Sequence, residues 1–391
     1  MPPIRVLVVD DSAFMRHAVA RLLDETAGIE VVGSAPNGQV GLELATQLKP
    51  DVISLDVEMP VLDGLGMLGR LMATQPTRVI MLSSLTTDGS AVTLDALDAG
   101  AIDFVAKPSG SLSIDIGVVG ADLIAKIRAA AAMSHASFLG HCQRVSLRTA
   151  RRTTATASPA GTPAGGPARI ASGAGIPGVP RPPRVTSRRV VVIASSTGGP
   201  SALQTVVSGL PAQLGCAVVI VQHMPAGFTA SLAQRLDACG ELEVVEAVAN
   251  ELICDDRILV APGDHHLISS TSGRVQLIRL PPVNGVRPAA DVTLQSLAPV
   301  WGERMLTVVL TGMGSDATEG ARAARKHGGT VYAQDEATAT IYGMPAAVAQ
   351  AGLVDKVLPL GKVASAIGAW ASASARDAAA LARLSSRSSP A

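Results

Sequence analysis

Three stretches of this 391-residue chain end an apolar run on a residue that can move a proton or a charge. VVVIASSTGGP (190–200) presents a serine, CAVVIVQHMP delivers His223, and RMLTVVLTGMGSD delivers Asp316. A serine hydroxyl becomes a useful nucleophile when an imidazole takes its proton, and a carboxylate can orient that imidazole and stabilise its cation. Ser196, in Ala194-Ser195-Ser196-Thr197-Gly198, lies one residue from the G-x-S-x-G elbow, a tight strand-to-helix bend beside backbone N–H groups. Pro200 suits a first helical turn, where no amide donor is needed. On the residues alone two plainer roles stay open. Ser195 or Ser196 could cap a helix, and the glycines could cradle a phosphate, although neither G-x-G-x-x-G nor G-x-x-x-x-G-K-[ST] is present. His265-His266 in APGDHHL lacks flanking ligands and reads as a loop, not a metal site.

A second set lies nearer the N-terminus. Asp10-Asp11 follows VLVV, Asp56 follows VISL, and Lys107-Pro108 follows DFVA. Three carboxylates in one crevice repel each other unless a hard cation neutralises them, and Mg²⁺ does so with few protein oxygens. A lysine there can neutralise phosphoryl oxygens. Asp56 then reads as an acceptor in phosphoryl transfer, which needs mainly positioning and charge stabilisation. Ser83, after RVIML, is placed to hydrogen-bond the new phosphoryl group. Any one of these acids alone would more simply cap a helix.

Such placements require sheets whose strands end at a shared edge. Apolar runs at 5–9, 52–55, 79–82 and 102–106, with a shorter one at 30–34, alternate with helix-like stretches such as 13–23 and 40–48. Five βα units make a doubly wound parallel sheet over residues 1–125. A second α/β pattern, expected over 188–378, has strands at 190–193, 217–221, 257–260 and 306–310 and helices starting near Pro200, Thr229 and Ala317. The fold class is therefore α/β, with two doubly wound, mostly parallel-sheet domains. Residues 126–187 are expected to be a linker, disordered from about 144, and 379–391 a flexible tail. Residues 144–189 carry nine arginines, seven prolines and no acid, so they cannot bury enough surface to offset their ordering entropy.

Aromatics make up 2% of a chain that is 48% hydrophobic, so the cores must be built from Val, Leu, Ile and Ala. Zero net charge argues against a dedicated nucleic-acid binder, and it hides a segregated pattern: residues 1–124 hold 16 acids against 7 bases. The four cysteines form no close CxxC pair, no apolar run reaches membrane-spanning length, and the first residues lack a signal-peptide layout. A cytoplasmic protein, monomeric and without direct membrane insertion, is the expectation.

Residues 4 to about 125 resemble the response-regulator receiver family in Asp10-Asp11, Asp56 within DVEMPVLDG, Ser83, Phe104 and Lys107-Pro108. The resemblance implies Mg²⁺-dependent phosphorylation by a partner histidine kinase and a two-state surface involving Ser83 and Phe104. SSTGGP, QHMP, APGDHHL, RPAADV, LTGMGSDATEG and AQDEATATIYGMP resemble the catalytic domain of the chemotaxis response-regulator protein-glutamate methylesterase family. That likeness puts the nucleophile at Ser196, the base at His223 and the acid at Asp316, with Thr197 and Met313 beside the oxyanion site. The order Ser, His, Asp differs from that of the α/β-hydrolases, consistent with the same chemistry on another topology. The family implies hydrolysis of glutamate γ-methyl esters on methyl-accepting chemotaxis receptors, deamidation of receptor glutamines, no cofactor for hydrolysis, recruitment to receptor arrays, and a receiver that covers the site until phosphorylated. A long linker would weaken that cover. Ala194 and Ser195 stand where Gly-Ala is usual, and Ala317 replaces a glycine. Two other outcomes remain at this stage: an esterase for a non-receptor substrate, and a receiver-linked module with an inactive triad.

Overall fold

The computed structural model describes residues 2–84, 86–107, 115–135, 137–143, 145 and 185–387, and these form two compact units. In the N-terminal unit, β1 (Ile4–Val9), β2 (Ile29–Ala35), β3 (Val52–Asp56), β4 (Arg78–Ser83) and β5 (Asp103–Ala106) make a parallel sheet in the order β2-β1-β3-β4-β5. All five expected strands are present, each shifted by no more than a residue or two. Polar residues start the intervening helices: Ser12, Asn37, Asp63 and Thr86 each accept a backbone N–H from the first turn. β1 lies between β2 and β3, so the connections leave in opposite directions there and open a crevice at the carboxyl ends of β1 and β3.

The helix that completes this unit runs Asp115–Ala132, beyond the boundary expected at 125. Ile127, Ala130, Met133 and Phe138 are buried in the same core as Val6, Val8 and Ile80. The alanines surrounding Ile127 blur the apolar spacing that would have marked this face in the sequence. Of the expected linker, residues 146–184 lie outside the described residues.

The C-terminal unit holds a seven-stranded, wholly parallel sheet. Its strands are β6 (Val190–Ser195), β7 (Ala217–Gln222), β8 (Glu243–Glu246), β9 (Arg257–Val260), β12 (Met305–Val309), β13 (Thr330–Gln334) and β14 (Lys356–Leu358), ordered β14-β13-β12-β6-β7-β9-β8. Every residue of β6 and β7 is buried, which explains why both read as continuous apolar runs. From β6 the chain builds outward through β7 and returns through β12 on the other side, so the switch in direction lies between β6 and β12. Helices begin at Gly199, Phe228 and Thr318, within a residue of expectation.

Two features differ from expectation here. A separate antiparallel hairpin, β10 (His266–Ser269) with β11 (Val275–Ile278), interrupts the βα alternation. His266 therefore opens a strand instead of lying in a loop. Its buried ring takes the Ala289 N–H on Nδ1 at 3.2 Å and faces the Pro281 carbonyl with Nε2 at 3.2 Å. The helix Leu360–Arg387 also continues through most of the segment expected as a tail. No helix among the described residues is long and apolar enough to cross a membrane.

Candidate active site

Strand register brings the residues together. Ser195 pairs with Gln222 across β6 and β7, so Ser196 and His223 are the next residues on strands about 4.8 Å apart. The Ser196 N–H donates to the Thr311 carbonyl at 3.0 Å, which ties the serine to the turn after β12 that leads to Asp316. Gly198 then adopts φ +76°, a left-handed conformation that suits glycine, and Pro200 occupies the first helical turn. Gly312 passes so close that an added Cβ would lie 2.8 Å from the Ser196 Cβ.

The two serines have different surroundings. Ser195 is fully buried and donates to Gln222 Oε1 at 2.7 Å. Gln222 Nε2 in turn donates to the Ser196 carbonyl at 3.0 Å, so the extra hydroxyl braces the turn. Ser196 is partly exposed, and its Oγ makes no hydrogen bond among the described residues. A second glutamine works from the other side: buried Gln334 accepts the Thr311 N–H at 2.8 Å, and Thr311 Oγ1 donates to the Thr197 carbonyl at 2.9 Å. Gln222 was visible in the QHMP motif without an assigned part. Gln334 lies in the AQDEATATIYGMP motif, equally without an assigned part, since its contact to Thr311 arises only from cross-strand packing.

Gly199 leaves no room at this turn. A Cβ there would lie 1.9 Å from Gln222 Oε1 and 3.0 Å from the Ser195 Cβ. Gly199→Ala should therefore displace Gln222, cost about 1–3 kcal/mol of stability, and lower hydrolysis through the lost hold on Ser196. Thermal unfolding and ester turnover measured on the same preparation check this. Unchanged values for both would show that Gln222 does not brace the turn.

His223 Nε2 lies 2.7 Å from Asp316 Oδ2. With Nε2 engaged by the carboxylate, Nδ1 is the ring nitrogen left for a serine proton. Ser196 Oγ and His223 are not hydrogen-bonded here, so the expected continuous row is formed over two of its three members. Such bonds commonly tighten only around a bound substrate, and Oγ swings through its staggered positions about a single bond. Asp316 also accepts the Ala290 N–H on Oδ2 at 2.6 Å and the Asp291 N–H on Oδ1 at 3.0 Å. Burial opposes its charge, yet His223 and these two N–H groups hold its carboxyl below the usual carboxylate range. Thr197 is buried and Met313 half-buried, and the Met313 N–H donates to no group among the described residues. Ala317 is left-handed at φ +77°, where a glycine would be unstrained; its buried methyl costs about 1 kcal/mol.

In the N-terminal unit, oxygens of Asp10, Asp11 and Asp56 lie within 4.8 Å of one another. Lys107 Nζ bridges Asp56 at 2.7 Å and Asp10 at 2.9 Å. Burial works against the Lys107 ammonium, but its bonds to Asp56 and Asp10 outweigh burial and hold its pKa above the ordinary value. Asp56 moves the other way: burial pushes it up to about 6 despite Lys107. An all-oxygen trio with this surplus of buried charge fits a hard divalent cation. Backbone packs closely on Asp56, for a Cβ on Gly64 would lie 2.0 Å from its carbonyl oxygen. Ser83 sits at the end of β4, but its buried Oγ bonds Thr93 Oγ1 and the Gly89 carbonyl. The Phe104 ring is buried under Lys126, whose Nζ stands 5.4 Å from the ring centroid and 2.6 Å from the Phe104 carbonyl.

Comparison with known proteins bears on both units. Residues 191–367 match the family described as CheB methylesterase, and residues 6–115 match the response regulator receiver domain. A protein-glutamate methylesterase/protein-glutamine glutaminase of Symbiobacterium thermophilum is 47% identical over 366 residues, covering 93% of this chain and 96% of that protein. The protein of the same name from Thermotoga maritima is 41% identical and covers 92% and 96%. The crystal structure of the Thermotoga maritima CheB methylesterase catalytic domain aligns at 43% identity with a TM-score of 0.45, over 46% of this chain and 97% of that one. With two domain matches in that order and relatives of such identity along nearly its whole length, the chain belongs to the CheB family of protein-glutamate methylesterases/protein-glutamine glutaminases.

Proposed function

We propose that this chain is a phosphorylation-regulated serine hydrolase that removes methyl groups from glutamate γ-methyl esters on methyl-accepting chemotaxis receptors and deamidates certain receptor glutamines. The observation that carries the reading is a partly exposed Ser196, unencumbered at Oγ, beside a His223–Asp316 pair bonded at 2.7 Å. Ser196 Oγ attacks the side-chain carbonyl carbon while His223 takes its proton on Nδ1. Backbone N–H groups beside Thr197 and Met313 receive the oxyanion, a contribution of about 3–4 kcal/mol per donor. His223 returns the proton to the leaving oxygen, methanol departs, and water activated by the same imidazole releases the glutamate. With a glutamine, the departing group is ammonia.

Regulation is assigned to Asp56. A histidine kinase supplies the phosphoryl group, the Lys107 ammonium holds its oxygens, and Asp10, Asp11 and Asp56 would hold Mg²⁺, which neutralises negative charge at the acceptor. The receptors lie in a membrane, so the enzyme acts at their cytoplasmic portion. Asp56→Asn should hydrolyse ester at the same rate with and without acetyl phosphate, while the wild type accelerates. Chelating divalent cations should remove that acceleration and leave the basal rate. Methanol release from methylated receptor membranes checks both, and equal stimulation of the variant and the wild type would refute the coupling.

A further inference from the structure

Asp291, the acid of the RPAADV motif, is buried directly against the triad acid. The helix Ala290–Trp301 has no side-chain cap of its own, and neither has the helix Thr318–Lys326. Each is capped by an acid from the other. Asp316, just before the second helix, accepts the first N–H groups of the first helix, those of Ala290 and Asp291. Asp291, in the first helix, accepts the Gly320 N–H of the second on Oδ1 at 2.7 Å. Its Oδ2 accepts from Asn284 Nδ2 at 3.1 Å. Asn284 and Gly285, both left-handed, form the exposed turn of a small hairpin closed by the Val283–Val286 bridge. Burial, with the Asp316 charge added, pushes Asp291 up to about 6 against the pull of the Gly320 N–H.

We propose that Asp291 is a positioning residue for the hydrolase step: the reciprocal capping fixes the turn from Asp316 to Gly320, and so aims the carboxylate that orients His223. This rests on the serine-hydrolase reading of the site. If Gly320 loses its acceptor, the first turn of its helix relaxes. Asp316 then has freedom to follow its own helix partner away from the imidazole. The cost falls on the chemical step and not on substrate binding, because the buried Asp291 bonds Gly320, Asn284 and Asp316 and makes no hydrogen bond to Ser196 among the described residues. Asn284 links the pair to an exposed turn through one hydrogen bond.

The test uses the full chain, a glutamate γ-methyl ester peptide, and a serine-reactive fluorophosphonate that counts working sites. Per titrated site, Asp291→Ala should lower kcat by about 10–100-fold, the scale of a misplaced catalytic group, with KM unchanged within about twofold. Asp291→Asn still offers Oδ1 to the Gly320 N–H, and Asn284 can turn its amide to present oxygen, so this variant should recover most of the lost kcat. Where Asp291→Ala does not fold, Asp291→Ser, whose hydroxyl is too short to reach Gly320, carries the same expectation. Wild-type kcat per titrated site in the Ala or Ser variant would overturn the proposal. So would an Asn variant no better than Ala. A wild type that neither reacts with the phosphonate nor hydrolyses ester would instead remove the serine-hydrolase reading itself.

Discussion

Ser196→Ala should lower kcat for ester hydrolysis by about 10⁶-fold, the loss seen when a triad serine is removed, and should abolish labelling by a fluorophosphonate. Ser195→Ala should stay within about tenfold of wild type, because that hydroxyl is not available for attack. It is fully buried, and its proton is committed to Gln222. Removing it leaves Gln222 Oε1 without that donor, a cost of about 1–3 kcal/mol that thermal unfolding would register. The two variants thus separate chemistry from support. An inactive Ser195→Ala beside an active Ser196→Ala would reverse the assignment of the nucleophile.

Asp316→Asn should lower kcat by about 10⁴-fold, through the tautomer of His223. Asp316 Oδ2 lies 2.7 Å from His223 Nε2, and a carboxylate there favours the neutral tautomer with its hydrogen on Nε2, leaving Nδ1 to act as base. An amide nitrogen in that place donates to Nε2 instead. The imidazole then carries its hydrogen on Nδ1 and has nothing with which to deprotonate Ser196. Turning the amide over restores the bond to His223 but directs the nitrogen at the Asp291 N–H, now accepted by Oδ1. Neither orientation satisfies all three donors. Steady-state turnover on folded, phosphonate-titrated protein measures the effect, and more than a tenth of wild-type kcat would take Asp316 out of the mechanism.

Both sheets were legible because their central strands are buried on two faces. Val190–Ile193 is four consecutive apolar residues, and a strand covered by helices on each side needs no polar alternation. The site was legible for a related reason. Parallel strands all end at one edge, so chemistry-bearing residues just after β6, β7 and β12 had to meet. The hairpin β10–β11 was missed because its four-residue strands are too short for their period to stand out, although Thr271-Ser272-Gly273 between them is a turn signal. Asp291 and Gln334 were missed for another cause. Both lie in motifs that stood out, RPAADV and AQDEATATIYGMP, but nothing local gives either a role; their partners lie 25 and 23 residues away. The helix runs past the expected boundary at 125 with Ile127 and Ala130 continuing its buried face, a spacing that the surrounding alanines blur in the sequence.

The crossed caps make one corner of the C-terminal unit answer to change as a whole. A substitution at either acid frees N–H groups at the start of the opposite helix, so the two positions have a joint tolerance. A variant that tries to retune the acidity of one inherits the architecture of both. The same polar atoms serve as hinge pins for the scaffold and as the sighting line for the imidazole, which leaves little latitude to drift in either.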